Sequence, residues 1–189
     1  MSTFITLVSG LPRSGTSMMM RMLEAGGIPP MTDEVREADV DNPNGYYEFE
    51  RIKKVKKDAS WMEDARGKAI KAIYMLLYDL PAEYSYKVVF MMRNLDEIVA
   101  SQDAMLRRLD PDANGMESGL LRKLFTSHLD KVIAWLATQA HFDTLYVRYN
   151  DILVNPTANV RRINQFLGGG LDEEAMAAVV DPDLYRQKA

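Results

Sequence analysis

Thr3-Phe4-Ile5-Thr6-Leu7-Val8-Ser9, followed at once by Gly10-Leu11-Pro12-Arg13-Ser14-Gly15-Thr16-Ser17, is the stretch on which the fold turns. The first seven residues are β-branched or apolar almost throughout, the composition of a strand buried on both faces. The next segment breaks the pattern between two glycines. A methionine-rich helix is then expected from Thr16 to Ala25, stopped by Gly26-Gly27 and Pro29-Pro30. A glycine-flanked turn between strand and helix points backbone N–H groups inward. The helix behind it adds the positive end of its dipole. Together they form a cradle for a phosphate, with Thr16 and Ser17 able to add hydroxyl donors.

Working outward, strands and helices alternate. Residues 31–45 are polar and end in Asn42-Pro43-Asn44-Gly45, which reads as a loop. Tyr46 to Trp61 reads as a helix with a solvated basic stripe at Lys53, Lys54, Lys56 and Lys57. Lys68 to Met75 fits a second strand or a helix about equally. Tyr86 to Met92 is a clear buried strand. Asn94 then reads as an N-cap, with Glu97 completing a capping box for a helix reaching Leu109. Asp110-Pro111-Asp112 and Asn114-Gly115 mark a loop. A long amphipathic helix is expected over Glu117 to Ala140, with Leu121, Leu124, Val132 and Leu136 on its apolar face. Thr144 to Tyr149 is a strand, and Asn155-Pro156 opens a helix that ends at Gly168-Gly169-Gly170. Short strands separated by helices imply parallel pairing. The expected fold class is α/β, a P-loop NTPase-like three-layer α/β/α domain spanning 1–189, with a central, mostly parallel sheet of about four to five strands.

The bulk composition excludes several functions. Formal net charge is −4, which gives no support for a nucleic-acid partner, although one small basic pocket survives such an average. The chain has no cysteine, so thiol nucleophiles, disulfides and cysteine-based zinc sites are ruled out. That fits a reducing compartment, and the short apolar run Phe4 to Val8 is neither a signal peptide nor a membrane span. A cytoplasmic protein without membrane contact is expected. Its oligomeric state cannot be read. Met18 to Met20 suit adaptable core packing.

The loop departs from the ATP-binding pattern in an informative way. A Walker A loop carries lysine after its second glycine, and here Thr16 stands there. The cation is Arg13, two residues before Gly15. Pro12-Arg13-Ser14-Gly15-Thr16-Ser17 resembles the 5′-phosphosulfate loop of sulfotransferases, Pro-(Lys or Arg)-Ser-Gly-Thr-(Thr or Ser). A second likeness lies at the end of the Val88 to Met92 strand, where Arg93 is followed eight residues later by Ser101. Sulfotransferases place such a pair on the 3′-phosphate of their donor. Strand ends are where ligands sit in parallel sheets, and a guanidinium suits bidentate phosphate contact. The rival reading pairs Arg93 with Asp96 or Glu97. Tyr149-Asn150-Asp151-Ile152-Leu153, with Asn155-Pro156 and Phe166-Leu167-Gly168, is similar to the family's Tyr-Glu-Asp-Leu…Pro…Phe-Leu-Gly segment. Asp41 to Glu48 and Asp181-Pro182…Leu184-Tyr185-Arg186 look like compact bacterial members.

The resemblance implies a sulfotransferase that moves a sulfonyl group from 3′-phosphoadenosine 5′-phosphosulfate (PAPS) to a hydroxyl or amine of a small-molecule acceptor, without a metal. It implies that N–H groups from Ser14 to Ser17 hold the 5′-phosphate. Arg13 would neutralise charge at the sulfonyl group or leaving oxygen, and Arg93 and Ser101 would fix the 3′-phosphate. Transfer to an oxygen or nitrogen also needs a general base. Glu48 is the candidate, since it follows the Asn-Pro-Asn-Gly loop; a first-turn helix carboxylate is its plainer reading. Asp33 and Glu34 are alternatives, and Lys71 faces the site or solvent. The family's threonine-histidine-leucine context for a catalytic histidine is only superficially matched by Thr126-Ser127-His128-Leu129, and His128 reads as a core histidine. His141 reads as capping or exposed. The family's arginine-lysine-glycine motif is absent. A small-molecule kinase using ATP and a non-catalytic nucleotide-binding module are the competing functions.

Overall fold

The apolar stretch after Phe4 forms strand β1, Ile5–Gly10, buried along its whole length. A computed structural model describes residues 4–33, 45, 47–109 and 117–181. The expected loops at 42–44 and 110–115, together with Glu34 and residues 182–186, lie outside the described residues. Helix α1, Thr16–Ala25, follows β1, and Gly26 closes it by donating its N–H to Met22 O. Strand β2 is short, Ala69–Lys71, and β3 is Tyr86–Met92. Helices α2, Leu95–Leu109, and α3, Ser118–Leu136, pack against each other and precede β4, Phe142–Arg148. Helices α4, Tyr149–Val154, α5, Pro156–Leu167, and α6, Glu173–Ala178, complete the described chain.

The four described strands make one sheet in the order β2-β1-β3-β4, with every neighbouring pair parallel. Alternation along the strands sends residues to two cores. Ile5, Leu7, Val88 and Phe90 meet Ile98 of α2 and Phe125 and Val132 of α3. Val8, Val89 and Met91 meet Met19, Met20 and Leu23 of α1, with Val160 and Ile163 of α5. Helices thus cover both faces, the three-layer arrangement expected of the sequence. The methionines of α1 are packing residues: Met19, Met20 and Met22 have no exposed surface. Among the described residues no helix is long and apolar enough to cross a membrane.

Several local expectations are corrected. The segment expected to be helical from Tyr46 to Trp61 holds only a 3-10 helix at Glu50–Lys54, then turns. Asp58 is the physical reason. Its side chain accepts from the Ser60 N–H at 3.1 Å and from the Ser60 hydroxyl at 2.6 Å, giving the backbone a local alternative to helix. Ile52 and Val55, three apart and buried, suit the tighter winding. The lysine stripe is solvated as expected. Residues 68–75 divide between the two readings, Ala69–Lys71 as strand and Tyr74–Asp79 as a 3-10 helix. On α3 the buried face runs through Leu121, Phe125, Leu129, Val132 and Leu136, while Leu124 is 38% exposed. Strand β4 starts at Phe142 and gives up Tyr149 to α4, a helix the sequence reading lacked. Asn155 caps α5 as expected, accepting from Ala158 N at 3.1 Å.

Candidate phosphate site

The loop after β1 needs both its glycines. A side chain at Gly10, with φ 147°, would fall 2.6 Å from the Met91 carbonyl. Gly15, with φ 96°, is the N-cap of α1, and a Cβ there would fall 2.4 Å from the Tyr149 ring. Arg13 is held at φ 66°, in the left-handed region where residues other than glycine are rare. The Ser14 N–H closes the turn onto Leu11 O at 3.2 Å. The amide of Ser14 thus takes part in the turn, and its buried hydroxyl makes no hydrogen bond among the described residues. The cradle proper is the opening of α1, whose first amides have no carbonyl behind them within the helix. No acidic residue stands in that first turn, and no side chain caps it.

Cations converge on this turn from two other strand ends. Lys71, the last residue of β2, brings Nζ to 3.3 Å from Ser17 Oγ. The sequence left Lys71 undecided between site and solvent; the strand order settles it, because β2 lies beside β1. From β3, Arg93 donates Nη1 to the Arg13 carbonyl at 3.1 Å. Arg13 itself reaches the other way, donating Nε to Ser101 Oγ at 2.9 Å. The residues expected to serve two separate anion pockets are therefore joined through Arg13.

Arg93 also realises its rival reading. Its Nε donates to Glu97 Oε2 at 2.8 Å, and its guanidinium lies over the Tyr149 ring at 4.6 Å from the centroid. The other Glu97 oxygen accepts from Asn150 Nδ2 at 2.9 Å. Glu97 therefore serves Arg93 and Asn150, where a capping box was expected; Asn94 caps α2 by accepting from the Asp96 N–H at 2.9 Å. Burial raises the Tyr149 hydroxyl above the ordinary tyrosine range, with Glu97 and Asp181 acting in the same direction and Arg93 against it. Glu97 was read as a rival partner for Arg93 and not as a site residue, and Asn150 was not singled out; the arginine–glutamate spacing was the signal for the first.

The base candidates Asp33 and Glu48 tie the segment after α1 to the one before the 3-10 helix. The Glu48 carbonyl accepts from Thr32 Oγ1 at 2.9 Å and from the Asp33 N–H at 3.2 Å. Its carboxylate is 4.0 Å from Lys53 Nζ. Asp33 Oδ2 accepts from the Glu50 N–H at 2.5 Å, so it caps the 3-10 helix there. Tyr47, at φ 52°, anchors the segment by donating its hydroxyl to Glu24 Oε2 at 2.6 Å. Burial and that carboxylate push the Tyr47 hydroxyl far above the usual tyrosine range. His128 is partly buried on α3, with Nδ1 hydrogen-bonded to the Tyr74 hydroxyl, the satisfied histidine expected. His141 packs its ring on Phe142 and Tyr86.

A glycine-bounded loop, an uncapped helix N-terminus and cations from neighbouring strand ends define a P-loop-type α/β protein. A family model described as "Sulfotransferase domain" matches residues 5–182, and the chain belongs to that family. Sulfotransferase 1A1 of Rattus norvegicus is 24% identical over 191 residues; the match takes in 96% of this chain and 65% of the relative, so the chain spans less than two thirds of that protein's length. Two solved structures share the fold. One is the sulfotransferase domain from the curacin biosynthetic pathway, with TM-score 0.58 and 13% identity over 94% of this chain and 83% of that one. The other is mouse sulfotransferase SULT7A1 complexed with PAP, with TM-score 0.60 and 18% identity over 95% of this chain and 64% of that one.

Proposed function

We propose that the chain is a PAPS-dependent sulfotransferase acting on a hydroxyl or amine of a small-molecule acceptor. The observation that carries the reading is the loop between Gly10 and Ser17. It leads into the N-terminus of α1, and Arg13, Lys71 and Arg93 meet at or beside it. The donor, when bound, supplies an activated sulfonyl group and a nucleotide leaving group. Catalysis of such transfers is mainly positioning and charge stabilisation, as in phosphoryl transfer.

The chain's residues divide that work. Pro12 shapes the loop, and the amides of Gly15, Thr16 and Ser17, with the two hydroxyls, bind the 5′-phosphate. Arg13 and Lys71 stabilise negative charge at the sulfonyl oxygens and the leaving oxygen. Ser101, with the edge of Arg93, receives the 3′-phosphate. In doing so Ser101 exchanges its bond from Arg13 Nε for one to the phosphate, which releases the Arg13 side chain toward the sulfonyl position. Arg93 keeps Glu97, because separating a buried ion pair costs roughly 3–5 kcal/mol. Glu48 takes the acceptor's proton.

Calorimetry with 3′-phosphoadenosine 5′-phosphate (PAP) against ATP tests the donor assignment, and preference for ATP would overturn it. Sulfonyl transfer over a panel of phenols, alcohols and amines tests the activity. Glu48→Gln should lower turnover by at least tenfold while PAP affinity holds; an unchanged rate would remove Glu48 from the mechanism.

A further inference from the structure

Glu97 lies in the first turn of α2 with only 3% of its surface exposed. A carboxylate that deep requires partners for its charge. Among them are Arg93 Nε at Oε2 and Asn150 Nδ2 at Oε1. Arg93 in turn holds the Arg13 carbonyl and lies on Tyr149, whose ring fills the space a side chain at Gly15 would take. A continuous polar chain therefore runs from Asn150 on α4, through Glu97 and Arg93, to the one backbone carbonyl of the phosphate loop whose residue sits at φ 66°.

We propose that Glu97 and Asn150 are positioning residues of the phosphate loop, acting through Arg93. Arg93 left alone is a long, rotatable side chain. Clamped by Glu97 on one edge and by the Tyr149 face, it becomes a fixed donor that holds Arg13 in its left-handed conformation. That conformation aims both the Arg13 side chain and the amides that follow. Stability alone does not account for the pair, since well-packed apolar residues serve a buried core as well or better than an ion pair. Asn150 matters by its polarity. As a neutral donor it satisfies Glu97 Oε1 without adding a second negative charge beside Arg93. The sulfotransferase segment it resembles carries glutamate at this position, and a carboxyl group there would set acceptor against acceptor beside Glu97. The inference rests on the donor reading above, but the loop geometry it concerns can be measured without any ligand.

The test is a polarity swap. Asn150→Asp should weaken PAP binding at least tenfold and speed amide hydrogen exchange at residues 13–17. Glu97→Gln alone should have a smaller effect, because a flipped Asn150 amide can still pair with it. In the variant that combines Glu97→Gln with Asn150→Asp, the new amide at position 97 donates to the new carboxylate at position 150 and accepts from Arg93. Affinity and loop protection should then return to within about threefold of Glu97→Gln. Asn150→Ala, which adds no charge, provides the same readouts if Asn150→Asp does not fold. Wild-type binding and loop exchange in both Asn150 variants, or a double variant no better than Asn150→Asp, would overturn the proposal. Failure of the wild-type protein to bind PAP would instead strike the donor assignment, and loop exchange in the variants would still decide the positioning role.

Discussion

Arg13 carries two opposed demands. Its side chain is the loop's cation, while its backbone sits at φ 66°, where a residue with a Cβ pays about 1–2 kcal/mol. Glycine would remove that strain but adds roughly 0.5–1 kcal/mol of backbone entropy to the cost of folding. Both Arg13→Gly and Arg13→Ala lose the bond to Ser101; the backbone terms nearly cancel in Arg13→Gly, which should melt within a few degrees of the parent, whereas Arg13→Ala keeps the strain and should melt lower. Both should lose sulfonyl transfer by at least a hundredfold. Normal turnover in either would show that charge at this position is dispensable. Position 13 was legible as a cation from its place between the glycines. Its conformation was not, because nothing local to Pro12-Arg13-Ser14 requires φ above zero. That requirement comes from Arg93, eighty residues away, which holds the Arg13 carbonyl.

Among the elements, α5 was readable because each of its signals is local: Asn155 as cap, Pro156 in the first turn and Gly168 in the left-handed C-cap conformation. The expected helix over 46–61 failed for the opposite reason. The spacing of Ile52, Val55 and Trp61 suits more than one winding, and the decision falls to the Asp58 side chain. Hydrogen bonds from Ser60, then the one from Arg51, hold the Asp58 carboxyl down at about 2, below its ordinary 3.8. A depressed carboxyl contributes stability that is whole above the unfolded value and disappears as pH falls through the folded one. The stability difference between the parent and Asp58→Ala should therefore be constant above pH 3.8 and fade toward about pH 2. A difference that persists unchanged at that acid limit would show that the turn does not depend on the ionised carboxylate. α2 shows a third case: its start was legible at Asn94 and the Arg93–Glu97 pairing was one of two readings, but Asn150, the other partner of Glu97, lies on an element the sequence did not announce.

At the scale of the molecule, the site is a consequence of strand order. β1 and β3 are neighbours, yet α1 leaves β1 toward one face while α2 leaves β3 toward the other. The carboxyl ends of these two strands therefore border a crevice, the place where open parallel sheets take ligands. Arg13 and Arg93 stand at its two lips and touch across it. Alternating strands and helices made a parallel sheet legible, but order depends on which buried faces fit together, so the contacts of Lys71 with Ser17 and of Arg13 with Ser101 were not. A ligand spanning this crevice bridges loops from separate elements and should stabilise the fold as a whole. At a hundredfold excess over its dissociation constant, PAP should add about 2.7 kcal/mol. For a domain of this size that is a rise in Tm of roughly 5–10 °C. ATP at the same concentration lacks the 3′-phosphate and should shift Tm far less. Equal shifts from the two nucleotides would mean that the crevice reads only the phosphates on the 5′ side, and that Ser101 and Arg93 take no part in choosing the donor.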